Sequence, residues 1–582
     1  MRYKSAEISN FQDLEKLTAG LTLDGNRRNP TVSPRGMSTD PDGNARMVVD
    51  SYWNGSAVQP GIVFQQMYDV DRIEILRGAQ GTLQGRTSPA GAIALYTRRP
   101  EMNITEGSIK TGLTDDGGFN TEVGLSLPLI EDELAVRFAA NYVESEGQGI
   151  ESTASGQEQD TDTESTRITL AWQPTDYFDA TLIMEYADRQ GDQLQAAASK
   201  SRGIKPGDRL TLSDGNTINQ RGSKLTNLEM NLDVGVFTLT SVSGYIESDS
   251  VTQRDLDIAN HLRGTALNNR VSTDFDSVTQ ELRLAPQEAE LWDYVVGFYY
   301  AREDAATTAE TAIFTPGAGI SRLIFDAPIV REEYAAYLHN ILHLTDQSQL
   351  QLGLRYQKVD NFNRTDLGSI AFVNDDQDSS TGEALTSSLK YQYNLSDDVM
   401  VYTGYEQSYR PGGISIGLYP LPGEELLYGE ETSDSIELGL KSTLWDGRLQ
   451  LNGAFYHQQF DDYIARATDV YVNVAPGFGN NPSQYKRHSG LTFNADAEVT
   501  GAEVDFIALL TEQLTLSGSI SYNHAVFADG ETGPCNGLIP NGEYVAKCDI
   551  GGNRIGQEPD WSASVSDTYL EKRRTLFFTN VP

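Results

Sequence analysis

Cysteines, histidines and a serine–lysine pair are the side chains of this sequence whose spacing could support catalysis or metal binding. Cys535 and Cys548 are the two cysteines of the chain and lie in one segment rich in Gly, Asn and Pro. Such a pair is typical of a local disulfide in an oxidising compartment, with two free thiols as the alternative. Zinc is disfavoured, because His524 is the one histidine nearby and a closed site needs four ligands.

Two further patterns resemble active-site motifs but lack the necessary context. His339 and His343 have the i, i+4 spacing of a helical metal pair, and in a strand they also share one face. Ser387 and Lys390 have the spacing of a serine β-lactam enzyme, but a strand places them on opposite sides, and Lys-Thr-Gly at 110–112 comes first instead of last. We therefore predict no metal site, no catalytic residue, no enzyme activity and no cofactor.

Three glycines punctuate a loop between two short segments of strand-like pattern. Gly78, Gly81 and Gly85 follow the alternating run 72–76 and precede the apolar run 91–97. A phosphate-binding loop needs Gly-Lys-Ser/Thr after a four-residue spacer, and this segment has none. Close backbone packing inside a larger structure is the favoured interpretation.

The composition narrows the class of protein. The chain has 582 residues and a formal net charge of −39, which argues against nucleic acid as a partner. Hydrophobic residues make up 38% of it, and no apolar run reaches the ~18 residues of a membrane helix. Soluble proteins and membrane β-barrels share this bulk composition, because every second barrel residue faces a wet or plugged lumen.

Downstream of Pro100 the sequence alternates between apolar and polar residues. Runs such as 134–142, 350–356 and 514–522 keep a period of two over up to about ten residues, the length of a tilted spanning strand. About eighteen such segments occur, with aromatic residues near their ends. Lipid offers no hydrogen-bond partners, so a sheet inside it must close into a barrel.

The connections between these segments alternate between short and long. Short turns occur at 174–176, 345–347, 396–398 and 445–447. Long polar stretches occur at 145–164, 190–223, 303–330, 361–383, 410–430, 465–498 and 528–557. Short connections at one end and long connections at the other are typical of an outer-membrane barrel, whose long loops face the cell exterior. A β-sandwich array, the alternative, would not sort its turns in this way.

The segment from Asp71 to Pro100 resembles the core of the plug domain of TonB-dependent outer-membrane receptors. The residues that carry the resemblance are Glu74, Arg77-Gly78, Leu83, Gly85, Ala90-Gly91 and the closing Thr97-Arg98-Arg99-Pro100. Ala79 and Gln84 stand where the family usually has Pro and Tyr, which changes loop stiffness. Three barrel segments, 409–414, 430–441 and 500–505, also resemble the family, with Asp505 in place of its second glutamate.

The resemblance implies an all-β transmembrane barrel of the 22-stranded family type, with about 18 strands present. An N-terminal α+β plug domain, residues 1–100, would fill the lumen of the barrel, residues 101–582. The first residues lack the apolar core of a signal peptide, and the end lacks a closing strand. We therefore expect the chain to be truncated at both ends.

The resemblance also implies a set of ion pairs that holds the plug in place. Two plug arginines of the family pair with two barrel glutamates that face the lumen, and the matching residues here are Arg35, Arg77, Glu437 and Glu503. Arginine suits this role because it stays charged and binds carboxylates in a fork. A set of separately solvated charges is the alternative.

The function implied is import across the outer membrane of a Gram-negative bacterium by a monomeric receptor that contacts outer-membrane lipid. The ligand class is a ferric siderophore, with cobalamin or an oligosaccharide as alternatives. Tyr409, Arg410 and Tyr419 are candidate ligand contacts. The TonB–ExbB–ExbD energy complex would act through an N-terminal segment missing from this sequence. A passive porin or surface adhesin would have no plug, and a soluble β enzyme or glycan-binding protein would need no lipid.

Overall fold

The computed structural model covers most of the chain. It describes residues 14–15, 18–24, 31–40, 45–63, 67–82, 85–114, 117–145, 149–192, 194, 208–213, 217–257, 267–287, 291–315, 317, 319–365, 376–415, 427–474, 484–556 and 559–569. Leu83 and Tyr419 lie outside the described residues.

The N-terminal domain consists of a small mixed sheet, a separate pair of strands and a short helix. Its elements are β1 (Leu21–Asp24), β2 (Thr31–Pro34), β3 (Val49–Trp53), β4 (Ser56–Val58), the helix α1 (Pro60–Val63), β5 (Val70–Arg77) and β6 (Gly91–Thr97). Four strands form a sheet in the order β4-β3-β6-β5, in which β3 and β6 run parallel, and β1 pairs with β2 separately. Among the helices of the described residues, none has the length and apolar character to cross a membrane.

The remaining described residues form the barrel and its loops. The strands are β7 (Glu106–Leu113), β8 (Phe119–Ile130), β9 (Leu134–Ser145), β10 (Glu151–Ser152), β11 (Thr161–Thr175), β12 (Phe178–Gly191), β13 (Leu210–Thr211), β14 (Ile218–Val234), β15 (Phe237–Asp255), β16 (Asn268–Pro286), β17 (Trp292–Thr315), β18 (Gly319–Thr345), β19 (Ser348–Thr365), β20 (Asp376–Ser396), β21 (Val399–Arg410), β22 (Gly413–Ile414), β23 (Leu427–Tyr428), β24 (Glu431–Leu444), β25 (Leu449–Asn473), β26 (Tyr485–Leu509), β27 (Leu514–Phe527), β28 (Thr532–Pro534), β29 (Lys547–Asp549) and β30 (Trp561–Tyr569). Six of these are short strands that pair within the connecting segments.

Eighteen of these strands make a closed antiparallel barrel, which confirms the predicted fold and strand number for the described residues. Seventeen neighbouring pairs have a defined register, from β7 with β8 round to β27 with β30. The first and last barrel strands, β7 and β30, are neighbours in the ring without such a register among the described residues.

The two-residue alternation separates a lipid face from a lumen face. On β24, Ile436 and Leu438 are 58% and 60% exposed on the outside, whereas Glu437 between them points inward. Exposed large apolar side chains are stable on the outer face because lipid surrounds them. The inner face of the barrel is polar and packs against the N-terminal domain.

The plug lies inside the lumen. Its buried Trp53 and Leu95 pack in one cluster with Ile183, Leu225 and Phe275 of the barrel wall. At the N-terminal end, the backbone amide of Ala19 donates to Ser519 Oγ (2.8 Å) and that of Gly20 to Ser562 Oγ (2.6 Å). The domain therefore shares its hydrophobic cores and hydrogen bonds with the barrel.

The short turns lie where the sequence predicts them, whereas several predicted loops are strands. At 445–447, three consecutive residues take positive φ values of 55°, 54° and 83° and reverse the chain between β24 and β25. The stretch 303–330 was expected to be a loop, but β17 and β18 pair through it, from Trp292 with Leu342 to Thr315 with Gly319. Above the lipid both faces of a hairpin meet water, so alternation disappears while backbone pairing continues.

Candidate functional site

The two plug arginines are held in place by glycines. Arg35 follows β2 in the left-handed region, with φ 55°, and Gly36 follows with φ 77°. Arg77 is the last residue of β5 and precedes Gly78, whose φ is 79°. A Cβ on Gly78 would lie 2.6 Å from Arg35 Nη1. Glycine at this position therefore leaves the space that the Arg35 guanidinium occupies.

Arg35 bridges two barrel strands. Its Nη2 lies 2.9 Å from Glu437 Oε2 on β24, and its Nε lies 3.1 Å from Glu503 Oε1 on β26. Burial alone would lower the pKa of Arg35, but the carboxylates of Glu503 and Glu437 outweigh it, so that the pKa lies above its ordinary value. Arg35 therefore stays a cation inside the lumen.

Arg77 also binds β26, through Glu503 and through Asp505 two residues further along the strand. Its Nη1 lies 2.9 Å from Glu503 Oε2, and its Nη2 lies 3.4 Å from Asp505 Oδ1. Glu503 thus accepts bonds from both plug arginines and is only 6% exposed on its side chain. Asp505, where the family motif has glutamate, belongs to the cluster although it was not among the predicted pairs.

Two tyrosines complete this cluster. The Arg35 guanidinium lies 3.7 Å from the ring centre of Tyr456 on β25, and Tyr402 on β21 donates its hydroxyl to Glu437 Oε1 at 2.6 Å. Aromatic faces stabilise a guanidinium by cation–π attraction. Sequence reasoning missed both residues, although each lies at a lumen-facing position of an alternating run.

The cluster borders a cavity of about 560 Å³ between β5 and the barrel wall. Arg35, Arg77, Glu437, Glu503 and Asp505 all line this cavity. Water in such a space can solvate charges as they separate, so these pairs avoid the full penalty of a dry interior. The geometry is suited to a contact that is stable at rest and can be broken.

A second charged cluster joins the plug to another part of the wall, formed by β17, β18 and β19. Glu333 on β18 lies 3.1 Å from Arg46 Nη1 and 3.4 Å from Arg355 Nη2. Arg86 Nη1 of the glycine loop lies 2.6 Å from Glu303 Oε1 on β17. None of these residues was identified as a site residue from the sequence, because only the fold brings the plug arginines to the wall: Arg46 and Glu333 lie 287 positions apart.

The glycine loop packs tightly against its surroundings, in keeping with the structural interpretation. A Cβ on Gly81 would lie 1.7 Å from the carbonyl oxygen of Gln407 on β21, and one on Gly85 would lie 2.4 Å from the Tyr52 ring. Gly91 has a φ of 136° and leaves 2.1 Å between such an atom and the Leu76 oxygen. A side chain at any of these three positions would collide with the barrel backbone, the plug backbone or the Tyr52 ring.

Glu74 and Leu83 are the remaining residues of the predicted plug motif. Glu74 is partly exposed and binds Arg72 Nε of its own strand at 2.7 Å, without an ion pair to the barrel among the described residues. Leu83 lies outside the described residues.

Tyr409 and Arg410, two of the candidate ligand contacts, have buried side chains. Arg410 is 0% exposed, pairs with Glu431 and donates from Nη1 to the carbonyl oxygen of Arg46 at 2.9 Å. Tyr409 is 1% exposed, and its carbonyl oxygen accepts from Thr87 Oγ1 at 2.9 Å. The Arg410 side chain and the Tyr409 backbone therefore connect β21 to the plug. Tyr419 lies outside the described residues.

The cysteines form a disulfide, and His339 and His343 lie in the barrel wall. Cys535 and Cys548 are joined by a disulfide that closes a segment of one loop. His343 Nε2 lies 2.8 Å from Asp293 Oδ2, and His339 on the same strand is buried. Among the described residues, no group of three or more His, Cys, Asp or Glu side chains has an arrangement that could hold a metal ion.

Comparison with known proteins identifies the family. The profile of the TonB-dependent receptor plug domain matches residues 2–92, and that of the TonB dependent receptor-like β-barrel matches residues 111–580. The pesticin receptor of Yersinia enterocolitica serotype O:8 / biotype 1B is 25% identical over 472 residues, which are 78% of this chain. The chain spans 66% of that receptor's length.

Solved structures show the same fold at lower identity. The ferric yersiniabactin uptake receptor FyuA from Yersinia pestis superimposes with a TM-score of 0.78 at 19% identity, over 98% of this chain and 82% of that one. The siderophore receptor PiuA from Acinetobacter baumannii gives 0.74 at 16% identity, over 96% and 82%. With both domain profiles matched over most of its length, the chain belongs to the TonB-dependent receptors, outer-membrane proteins of Gram-negative bacteria.

Proposed function

We propose that this receptor imports a ferric siderophore into the periplasm. The support comes from its relatives, which include a receptor named for ferric yersiniabactin uptake, a siderophore receptor and a ferripyoverdine receptor. The plug inside the barrel also favours active import, because a passive pore needs an open lumen. Residues 1–100 act as the plug and residues 101–582 as the barrel, in a monomer.

We infer that the cluster around Glu503 is the lock between these two parts. The observation that carries this proposal is the double bridge, in which Arg35 and Arg77 of the plug share one carboxylate of the wall. Breaking a buried ion pair costs about 3–5 kcal/mol, which a ligand alone seldom supplies at a distance. Work from the TonB–ExbB–ExbD complex, applied to the plug, supplies it instead.

In this mechanism no covalent bond is made or broken. Ligand binds at the outer mouth, the energy complex pulls the plug, and Arg35 and Arg77 leave their carboxylates. The adjoining cavity of about 560 Å³ then widens along β5, and the ligand passes into the periplasm. When the pull ends, charge attraction returns the arginines to Glu437, Glu503 and Asp505.

Uptake and growth under iron limitation test the ligand class. The gene is deleted and then restored on a plasmid, and the accumulation of radioactive iron is followed with a panel of ferric siderophores. We expect uptake of at least one of them to require the gene and to vanish in a strain without TonB. If all iron uptake is unchanged, the iron assignment is wrong, and parallel assays with cobalamin and oligosaccharides test the alternatives.

A further inference from the structure

An arginine of the barrel wall faces the lumen near one end of its strand. Arg189 is the third residue from the end of β12, next to the long connection that leads to β14. On this strand Ile183 and Ala187 are buried inside, whereas Met184 and Tyr186 are exposed on the outside. Arg189 shares the inward face, and in a barrel of this kind the long connections face the cell exterior.

Arg189 has no counter-charge among the described residues. In the part of the chain that the structure describes, its side chain forms no hydrogen bond and no ion pair, and its Nε is sealed from solvent. The nearest inward carboxylate on its strand, Glu185, is bound to Arg167 at 2.7 Å. On the neighbouring strand β11, Asp162 and Glu164 are exposed on the outer face. An uncompensated cation that is partly buried is costly, so its presence calls for a reason.

Further hydrogen-bond donors lie around Arg189 on the adjacent strands. Arg221 is directly opposite it on β14 and 7% exposed, and it takes part in other interactions as well. Thr163 is directly opposite on β11. Ser165, diagonal to Arg189 and 2% exposed, has an Oγ with no hydrogen-bond partner among the described residues. Diagonal neighbours in a sheet lie ~7–8 Å apart, within reach of an arginine side chain.

We propose that Arg189, Arg221 and Ser165 form a binding site for an oxyanion, such as a carboxylate, sulfate or phosphate group. The guanidinium fork matches the paired oxygens of such a group, and the serine hydroxyl supplies one more donor. The formal net charge of the chain is −39, which repels anions from most of its surface. A local positive site inside the lumen offers an anion a favourable position after it has entered.

Two sources can supply this oxyanion. One is a small inorganic anion that stays resident in the barrel, and the other is an anionic group of the imported ligand. The second source rests on the proposed import function, whereas the existence of the site does not.

The first experiment uses sulfate as the probe and the full chain in detergent micelles. Arg189→Gln removes the charge and keeps a shorter polar side chain, and Arg254→Gln, on the exposed side of β15, is the matched control. We expect sulfate to raise the Tm of the parent and of the control at constant ionic strength. Arg189→Gln should weaken sulfate binding about tenfold or more, because it loses charge-assisted hydrogen bonds.

The Tm of Arg189→Gln without sulfate distinguishes a binding role of Arg189 from a structural one. Without sulfate, Arg189→Gln should match or exceed the parent in Tm, because it removes an unpaired charge. Equal sulfate binding by Arg189→Gln and the parent would overturn the proposal, as would a loss of Tm without sulfate. Arg189→Lys keeps the charge but loses the forked guanidinium, so its sulfate affinity should be intermediate. This variant provides a second measurement of sulfate binding if Arg189→Gln cannot be purified in folded form.

A second measurement identifies the source. Uptake in cells carrying Arg189→Gln is compared for a carboxylate-bearing and an uncharged ferric siderophore. Selective loss of the first assigns the site to the ligand, and unchanged uptake of both, with sulfate binding lost, assigns it to a resident anion. Absence of sulfate binding in the parent would refute the site while leaving import through the receptor intact.

Discussion

Replacing Glu503 by glutamine is the sharpest perturbation of the plug–barrel contact. Glu503 accepts from Arg35 Nε at 3.1 Å and from Arg77 Nη1 at 2.9 Å, so that one carboxylate serves both arginines. Glutamine keeps the shape of the side chain but has a single acceptor oxygen and presents an N–H donor in place of the other. One arginine therefore faces a donor where it had a charged acceptor.

The expected cost follows from burial and from the remaining partners. Removing one member of a buried ion pair costs about 3–5 kcal/mol. Arg35 retains Glu437 at 2.9 Å, Arg77 retains Asp505 at 3.4 Å, and the neighbouring cavity admits water. We therefore expect about 3 kcal/mol, the lower end of that range, which is roughly a hundredfold shift in the equilibrium between docked and released plug.

Hydrogen exchange of plug amides measures this shift. The amide of Gly78 donates to the carbonyl oxygen of Ala90 at 3.1 Å, and that of Ser88 to Gln80 at 2.9 Å, both within the plug. These amides exchange when the plug leaves the wall and loosens, so Glu503→Gln should speed them about a hundredfold. Amides of the β17–β18 hairpin serve as an internal reference that should not change.

Glu74→Gln is the matched control for this experiment. Glu74 lies in the plug, binds only Arg72 of its own strand among the described residues and is partly exposed, so its removal should change exchange at Gly78 severalfold at most. Equal exchange rates for Glu503→Gln and Glu74→Gln would show that the double bridge does not hold the plug.

Three further predictions concern the plug and one loop. Arg77→Ala should raise the conductance of single receptors in planar bilayers, because Glu503 loses one of the two plug arginines that bind it. Arg72→Ala, on the same strand as Arg77, should not raise the conductance. Gly81→Ala should expose the plug to protease in intact cells, because its Cβ would lie 1.7 Å from a barrel carbonyl oxygen, whereas Gly107→Ala, with 3.7 Å to the nearest atom, should be tolerated. Cys535→Ser should raise proteolysis within its loop and leave the Tm of the barrel unchanged, because the disulfide spans only 13 positions.

The outcomes that would contradict these predictions differ. Equal conductance of the Arg77 variant and the parent would place the seal elsewhere, in the cluster around Glu333. Normal protease resistance of Gly81→Ala would mean that the glycine loop can move away from β21 without cost. A lowered barrel Tm in Cys535→Ser would show that the loop supports the wall, and reduction of the parent with dithiothreitol should then give the same result.

Several features of this receptor follow from the sequence alone. The period of two predicts which residues face lipid, as Ile436 and Leu438 demonstrate, because side chains of a strand alternate regardless of its partners. The turn at 445–447 is also local, since Asp446 and Gly447 are residue types that accept positive φ, although Trp445 before them is not. The membership of Arg35 and Glu503 in a lumen cluster came from resemblance to the family, and the structure places them 3.1 Å apart.

Other features depend on contacts that only the folded chain creates. Arg410 belongs to the interior because β21 and Glu431 enclose it, although its sequence surroundings are those of a loop. Asp505 pairs with Arg77, and the Arg189 side chain has no partner among the described residues, for the same reason. Each outcome depends on which distant side chains the closed sheet brings to the same level along the barrel axis. Local pattern determines which face of the barrel a residue occupies, and the register between strands determines what it meets there.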